Sequence, residues 1–305
     1  SVGDVVNTSG TIKGGNVAIT STQGSIVNQT TASGSGNELR YVTDIGKTAS
    51  IQSTGTLALD AAKDITNTGS SMAAGGDASL KAGGNVTFDT IQDKSVDTTH
   101  STFKQGGATG MTTTTTTTVT QVKSGLSSGG NLSIDAGKDI TLAGTNTRAA
   151  GNADLKAGGD LNMLARENTT DIHSESKASG FGMNGSLYGS TTVTTDSTSV
   201  RNVGSTLQVG GNASLAAGND ITVQGSSVDV KGSGTVSATN VNVLAGRNYD
   251  ETTTTTKQTG VLQVSASSGR STDTKSEAEA ASGKTKSSAS ASASAGASAE
   301  ATGTG

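Results

Sequence analysis

Few residues of this sequence have side chains that could do chemistry. The 305 residues include two histidines, His100 and His173, and no cysteine. Two histidines could share a metal ion or act as a pH-sensitive pair, but a tetrahedral metal site needs further ligands. Both lie in polar phrases, DTTHSTF and DIHSES, that are typical of exposed strands. We therefore expect solvent-exposed histidines, no metal and no cofactor, and the lack of cysteine excludes disulfides and a thiolate nucleophile.

Carboxylates are the other candidate catalytic groups, since glycoside cleavage needs two of them about 5–10 Å apart. Asp135, Asp154 and Lys156 are predicted to face outward on strands, where repeated charge favours solubility. Aromatic residues make up 2% of the chain, with no tryptophan, so a carbohydrate cleft is poorly supported. The three tyrosines lie in or near inserts and share no register: Tyr41, Tyr188 and Tyr249. We expect no catalytic residue, and binding residues cannot be assigned from the sequence.

Composition limits the class of protein. Hydrophobic residues are 30% of the chain, the net charge is −4, and glycine occurs 43 times. Such a chain can fill only a narrow core of small aliphatic side chains. Nucleic acid is an unsuitable partner because no basic stripe is present, and no apolar run reaches the roughly 18 residues that span a bilayer. The lack of an initiator methionine and of a signal peptide indicates a fragment of something longer.

The elements that would position any site are set by internal repeats. Asp64, Asp139 and Asp220 lie in the matching phrases AAKDIT, AGKDIT and AGNDIT, which define a long repeat of about 75–81 residues. A shorter repeat of about 21 residues lies inside the long one and relates, for example, Leu59 to Leu80. Self-similarity at about 20 residues predicts stacked supersecondary units.

Hydrophobic alternation identifies those units as strands. Leu132, Ile134 and Ala136 are apolar, and the residues between them are polar. This period of two predicts half-buried strands, and the phrases GG, AGK, AGG and AGN between them suit tight corners. Three short strands and three corners in each short repeat describe one coil. We therefore predict an all-β, right-handed parallel β-helix, or solenoid, of about seven or eight coils.

Asn or Asp follows the glycines at the predicted corners. These residues favour side-chain ladders or local turns, and the spacing of calcium-binding rolls is not met. The corner set is Asn16, Asp77, Asn85, Asn131, Asp160 and Asn212.

Long inserts rich in Thr and Ser interrupt the coils near residues 89–128, 165–205 and 247–274. One of them contains seven consecutive threonines, residues 112–118. Two β-branched polar arms around a glycine-bearing centre predict projecting β-hairpins with both faces in water. We expect residues 1–48 to form irregular coils with an insert. Residues 49–276 would form the repeat β-helix, and residues 277–305 a disordered Ala/Ser/Gly-rich linker.

The repeated phrase GGNLSIDAGKDITLAGTNTRAAGNADLKAGGDLNM resembles the haemagglutinin repeats of bacterial filamentous haemagglutinins. It is especially similar to the second repeat block of contact-dependent inhibition exoproteins. We expect the resemblance to cover most of residues 49–276, to be looser over residues 1–48 and to be absent from the tail.

The resemblance implies a secreted or surface-displayed filament of Gram-negative bacteria, exported by an outer-membrane two-partner secretion transporter. Such filaments deliver a toxin into neighbouring bacteria, with transient outer-membrane contact implied, or act as adhesins that bind host cells or biofilm partners. Because some parallel β-helices cleave polysaccharides, a carbohydrate-active enzyme is a remote alternative. The sequence lacks the amino-terminal secretion signature, the VENN tetrapeptide and a toxin sequence, so it does not separate adhesion from delivery.

Overall fold

The computed structural model describes residues 1–263 and 276–277 and shows an all-β chain, which confirms the predicted fold class. Among these residues the single helical element is a short 3-10 turn, Met183–Gly185. No helix in the described part is long and apolar enough to cross a membrane. The predicted linker, residues 277–305, lies outside the described residues apart from Glu277.

The strands are short in the coils and long in the inserts. The first twelve are β1 (Val5–Thr8), β2 (Thr11–Gly14), β3 (Val17–Ser21), β4 (Ile26–Gln29), β5 (Ala32–Gly36), β6 (Arg40–Ile45), β7 (Ser50–Ser53), β8 (Leu57–Ala61), β9 (Ile65–Thr68), β10 (Ser71–Ala74), β11 (Ala78–Ala82) and β12 (Val86–Asp89). The next ten are β13 (Ile91–Gln105), β14 (Ala108–Val122), β15 (Gly125–Ser128), β16 (Leu132–Ala136), β17 (Ile140–Ala143), β18 (Asn146–Ala149), β19 (Ala153–Ala157), β20 (Leu161–Leu164), β21 (Arg166–Phe181) and β22 (Ser186–Val203). The remaining strands are β23 (Thr206–Val209), β24 (Ala213–Ala217), β25 (Asp220–Gln224), β26 (Ser227–Val230), β27 (Gly234–Ser237), β28 (Asn240–Leu244), β29 (Tyr249–Gln263) and β30 (Ser276–Glu277).

Three parallel sheets form the walls of the solenoid. The first has the order β1-β4-β9-β12-β17-β20-β25-β28, the second β2-β7-β10-β15-β18-β23-β26, and the third β3-β8-β11-β16-β19-β24-β27. The chain visits the first, second and third sheets in turn, so each circuit adds one strand to each wall. Every strand inside a wall hydrogen-bonds to the coils above and below it, which is the pairing of a parallel β-helix.

A column of stacked aliphatic side chains fills the interior. In the third sheet Leu59 pairs with Leu80, Leu80 with Ile134, and Ile134 with Leu155. All four are at most 1% exposed. Each buried side chain of this size contributes about 1.5–3 kcal/mol, and a single coil cannot offset the entropy of ordering its backbone. The coils are therefore stable only as a stack.

The Asn and Asp residues at the corners form side-chain ladders. Each side-chain oxygen accepts a hydrogen bond from the backbone N–H of the next corner residue. The Asp77 carboxylate accepts from Asn131 at 2.7 Å, Asn131 Oδ1 accepts from Asn152 at 2.9 Å, and Asn152 Oδ1 accepts from Asn212 at 2.8 Å. The glycine before each rung leaves room for the ladder, because a Cβ on Gly151 would meet Asn131 Oδ1 at 2.6 Å. This steric requirement explains the repeated pairing of glycine with Asn.

A second ladder lies inside the first sheet, and the sequence did not reveal it. Asn7 donates to Asn28 at 2.7 Å, and Asn28 donates to Asn67 at 2.8 Å. Asn28 and Asn67 are fully buried, and their amides also bond to backbone carbonyls. The same position in the following coil is Phe88, which pairs with Asn67. The interior is therefore polar along one line in the first coils and apolar after that.

Coils of two kinds alternate at the corner between the first and second sheets. In one kind Gly69, Gly144 or Gly225 makes the turn with φ of 54°, 55° and 52°, in the left-handed region. In the other kind the chain leaves the stack at this corner and forms an insert. Each insert is therefore two coils from the next, which accounts for the long repeat in the sequence.

We expect Gly144→Ala to lower the free energy of unfolding by about 1–3 kcal/mol, because an L side chain is strained at positive φ and its Cβ would meet Thr90 Cγ2 at 2.6 Å. Urea denaturation followed by circular dichroism measures this change. The control is Gly125→Ala, where the Cβ has open space, its nearest neighbour being the Asn146 carbonyl oxygen at 3.9 Å. Equal destabilisation by the two substitutions would contradict the explanation.

Candidate functional site: the hairpin sheet

The inserts form one antiparallel sheet, here called the hairpin sheet, with the order β30-β29-β22-β21-β14-β13-β6-β5. Within an insert β13 pairs with β14, and β21 with β22. Successive inserts also join edge to edge, since β14 pairs with β21 and β22 with β29. The predicted hairpins are therefore present, and they join into a single sheet. The first long hairpin ends at Val122, and residues Gly125–Ser128 belong to a coil strand.

The spacing of the coils explains this edge pairing. Neighbouring strands in a sheet are about 4.8 Å apart, so two coils advance the solenoid by about 9.6 Å. A hairpin of two strands has the same width. An insert at every second coil thus fits beside the previous insert with its backbone groups paired, and the sheet can extend along the solenoid.

Ion pairs and amides hold the bases of neighbouring hairpins together. Arg166, at the start of β21, makes a bidentate contact with Asp89, with Nε 2.8 Å from Oδ1. The hydrogen bond from Arg166 to Asp89 raises the pKa of Arg166, although burial acts in the opposite direction. Gln121 on β14 donates to the carbonyl of Glu167 on β21 at 3.1 Å. At the next junction Arg201 bonds to Asp250, and this contact lowers the pKa of that carboxyl group.

Hydroxyl groups pair across the middle of the hairpin sheet. The Thr114 hydroxyl lies 3.1 Å from that of Ser174, and the Ser197 hydroxyl lies 3.0 Å from that of Thr252. These contacts join strands of different hairpins, so threonine both favours the extended backbone and connects the inserts. Within the first long hairpin, the hydroxyls of Thr98 and Thr115 are 2.9 Å apart.

The two histidines are exposed and are not brought together. His100 on β13 lies opposite Thr113, with Nδ1 3.0 Å from its hydroxyl oxygen. His173 on β21 lies 2.5 Å from an Asp196 carboxylate oxygen. Strand β14 separates them, and His173 lies opposite Thr115 rather than Thr113. Within the part of the chain that the structure describes, no group of three His, Cys, Asp or Glu side chains could hold a metal ion.

The two outward carboxylates lie opposite polar residues on neighbouring strands of the third sheet. Asp135 lies opposite Lys81 on one side and Lys156 on the other, and Asp154 lies opposite Ser133 and Ser214. Opposite charges on neighbouring strands stabilise a sheet. This placement gives Asp135 a structural explanation.

The tyrosines are distributed along the hairpin sheet. The Lys94 ammonium is 5.9 Å from the Tyr41 ring centre, and the Arg247 guanidinium is 4.9 Å from that of Tyr249. Tyr188 contacts Phe181 near the end of the second long hairpin. No two of the tyrosines share a strand, in agreement with the expectation that they share no register.

Two depressions on the described surface are open to solvent. One, of 470 Å³, follows the outer face of the second sheet and is lined by Arg148, Thr206 and Gln208 among others. The other, of 450 Å³, lies at the hairpin bases, and Glu167 is the one carboxylate in its lining. Neither contains the pair of carboxylates that glycoside cleavage requires.

The distal edge of the hairpin sheet is a feature that the sequence reasoning missed. We define the distal edge as residues 102–111, 177–192 and 257–261, the parts of the long strands farthest from the coils. It contains exposed apolar side chains, among them Phe181 at 72% and Val261 at 65%. They are scattered in the sequence, and only the strand register brings them together.

Comparisons with known proteins agree with this architecture. The hemagglutinin repeat family matches residues 6–108, 105–196 and 187–304. A relative, the "tRNA nuclease CdiA" of Escherichia coli strain STEC_O31, is 28% identical over 183 residues, which is 58% of this chain and 5% of that protein. No solved structure matches the chain. The family match extends beyond residue 276, where we expected the resemblance to end, so that expectation was wrong.

Proposed function

The chain belongs to the hemagglutinin repeat family, and we propose from this premise that it extends a secreted bacterial surface filament that delivers a toxin into neighbouring bacteria. The coil stack supplies length, and the hairpin sheet supplies a surface along one side. We further propose display on a Gram-negative cell, export by an outer-membrane two-partner secretion transporter, and contact with the target-cell surface.

The observation that carries the proposal is that the hairpins leave the solenoid at every second coil, always at the same corner. A filament that only extends needs coils alone, and long inserts would add nothing to it. Here the first two long inserts have strands of 15 to 18 residues, and the inserts pair into one continuous sheet. Maintaining that sheet requires the two-coil period throughout, which favours a role for the sheet itself. The CdiA relative supports delivery as that role, although this chain spans 5% of its length.

The proposal is tested by removing the first two long hairpins from the exoprotein while keeping its coils; this protein is the hairpin-free variant referred to below. Residues 90–124 and 165–205 are each replaced by Gly-Thr, so that the chain turns as it does at Gly144 and Thr145 in the coils without an insert. We expect normal secretion and normal attachment to neighbouring cells, but at least a tenfold loss of growth inhibition in co-culture. Surface display of the variant, measured with an antibody to the coils, is the control.

The alternative is an adhesin filament that binds host cells or biofilm partners. It is favoured over delivery if the hairpin-free variant is displayed but no longer attaches to cells. Unchanged growth inhibition by a displayed variant would contradict the delivery proposal.

We also propose that this segment has no catalytic activity of its own. The hemagglutinin repeat family is structural, and the outward aspartates are paired with lysine or lie opposite serine. The match to the nuclease relative covers 5% of that protein, so its nuclease activity is not assigned to these residues.

A further inference from the structure

Three exposed apolar side chains of the distal edge lie in one row across neighbouring strands. Phe181 is opposite Tyr188, and Tyr188 is opposite Val261 on the next strand. The Phe181 and Tyr188 rings are 5.4 Å apart and meet edge to face. The exposures of Phe181, Tyr188 and Val261 are 72%, 45% and 65%, and Leu187 next to them is 54% exposed. Clustered apolar exposure of this kind marks an interaction surface.

Basic residues lie on the same face as this apolar row, two of them four residues, or about 13 Å, nearer the coils. Lys177 and Lys257 lie opposite Thr192 on its two sides, so the two lysines are two strand spacings, or about 10 Å, apart on the same face. Lys104 lies opposite Thr109, which pairs with Ser179, two residues nearer the end of the hairpin than Lys177. All three are exposed, and the distal edge contains no Asp or Glu.

The carboxylates of that face begin farther from the edge. Glu175 contacts Lys177 at 2.9 Å, with side chains 36% and 58% exposed, and an exposed pair of this kind is weak and easily exchanged. Asp171, Asp196 and Glu251 follow toward the coils on the same face. This face of the sheet is therefore apolar at its end, basic about 7–13 Å nearer the coils, and acidic beyond that.

We propose that the distal edge binds a bilayer with anionic headgroups. The apolar side chains enter the interfacial layer, and the three lysines contact lipid phosphates, an arrangement that combines apolar burial with electrostatic attraction. Lysine suits this depth because its stem lies along apolar surface while the ammonium group remains at the headgroups. This inference deepens the proposed function, because it assigns the contact with a target-cell surface to particular residues.

The same features disfavour other partners. A glycan would need flat aromatic faces, but the two rings meet edge to face. An acidic protein would match the charge of the lysines. It would leave the row of exposed apolar side chains without an apolar surface to pack against. A bilayer interface accepts such a row along its whole length, because lipids adapt to the shape of the edge.

The test measures binding of the purified chain to sedimented vesicles of phosphatidylcholine mixed with phosphatidylglycerol, with pure phosphatidylcholine vesicles for comparison. We expect tighter binding to the anionic vesicles that soluble inorganic phosphate does not displace. Substituting Lys104, Lys177 and Lys257 by Gln should weaken binding by about fivefold per lysine. The double variant Phe181→Ser with Tyr188→Ser should weaken it by at least about tenfold.

Matched controls distinguish binding by the distal edge from nonspecific binding by other surface residues. A triple variant of coil lysines, with Lys63, Lys138 and Lys156 changed to Gln, has the same net charge as the distal variant. Ile172→Ser removes an apolar side chain that is 38% exposed in the middle of the same sheet. Both controls should bind like the wild type, and circular dichroism should show that all variants are folded.

Equal loss of binding in the coil and distal lysine variants would overturn the proposal, as would wild-type binding by the Phe181 and Tyr188 variant. Protease-sensitive binding to cells without binding to vesicles would indicate a protein partner and also overturn it. Vesicle binding decides this inference alone, whereas co-culture inhibition by the hairpin-free variant decides the proposed function, so the two can fail separately.

Discussion

Leu155→Asp is expected to lower the free energy of unfolding by about 5 kcal/mol or more, the largest effect of any single substitution considered. Leu155 is 0% exposed and stacks between Ile134 and Leu215 of the adjacent coils. The substitution removes apolar contacts, which alone costs about 2–5 kcal/mol for Leu→Ala. It also places a carboxylate between two stacked aliphatic side chains, and a buried charge without a partner is strongly disfavoured.

Urea denaturation with hydrogen exchange of the neighbouring coils measures this effect. Leu155→Met is the conservative control and should cost less than about 1.5 kcal/mol, because volume and polarity are nearly kept. Thr115→Asp, in the half-buried middle of the hairpin sheet, should cost less than about 1 kcal/mol. If Thr115→Asp were the more damaging change, the division into a coil interior and an external sheet would be wrong.

The solenoid was predictable because its information is local and repeated. Leu59 and Leu80 are one short repeat apart in the sequence, and this spacing is also the register in which their strands pair. Alternation along a strand shows which side chains face inward, and repetition shows which of them stack. The glycines at 69, 144 and 225 could likewise be aligned by sequence, and all three have positive φ.

The hairpin sheet was predictable only in part. Thr and Ser arms around glycine indicated hairpins, but a polar strand gives no signal for its neighbour, because both faces are in water and no apolar stripe fixes its register. The pairing of Thr114 with Ser174 depends instead on where the coils place the bases, or roots, of the two hairpins. The apolar side chains of the distal edge were missed for the same reason, since Phe181 and Val261 become neighbours only through the strand that lies between them.

The buried Asn ladder was missed for a different reason. Asn7, Asn28 and Asn67 occupy positions that an alternating pattern assigns to apolar residues, as Phe88 shows one coil later. An isolated buried amide is costly, but a stack of amides satisfies each member through the next coil. Only the parallel register, which places identical residues above one another, makes this arrangement favourable.

Successive hairpins leave the solenoid two coils apart, and we call this spacing the two-coil rule. It leads to a second prediction with a large effect, in which a short deletion is more damaging to the hairpin sheet than a long one. Deleting residues 130–150 removes one complete coil and rejoins Gly129 to Gly151, a junction that keeps the coil pattern. The roots of the first and second long hairpins would then be about 4.8 Å apart instead of about 9.6 Å. Two hairpins cannot lie side by side in that space, so β14 should lose its pairing with β21.

Deleting residues 130–210 removes far more of the chain but keeps the rule, because two coils still separate the first long hairpin from β29. Strand β14 can then pair with β29, which runs in the same direction as β21, since both are antiparallel to β22. Hydrogen exchange of the β14 amides should therefore be at least about tenfold faster in the 130–150 deletion than in the 130–210 deletion. Coil amides such as that of Leu80 should remain protected in both variants. Similar protection of β14 in the two variants would mean that the sheet does not depend on coil spacing. The hairpins would then be independent appendages, and their register along the solenoid would have no structural cause.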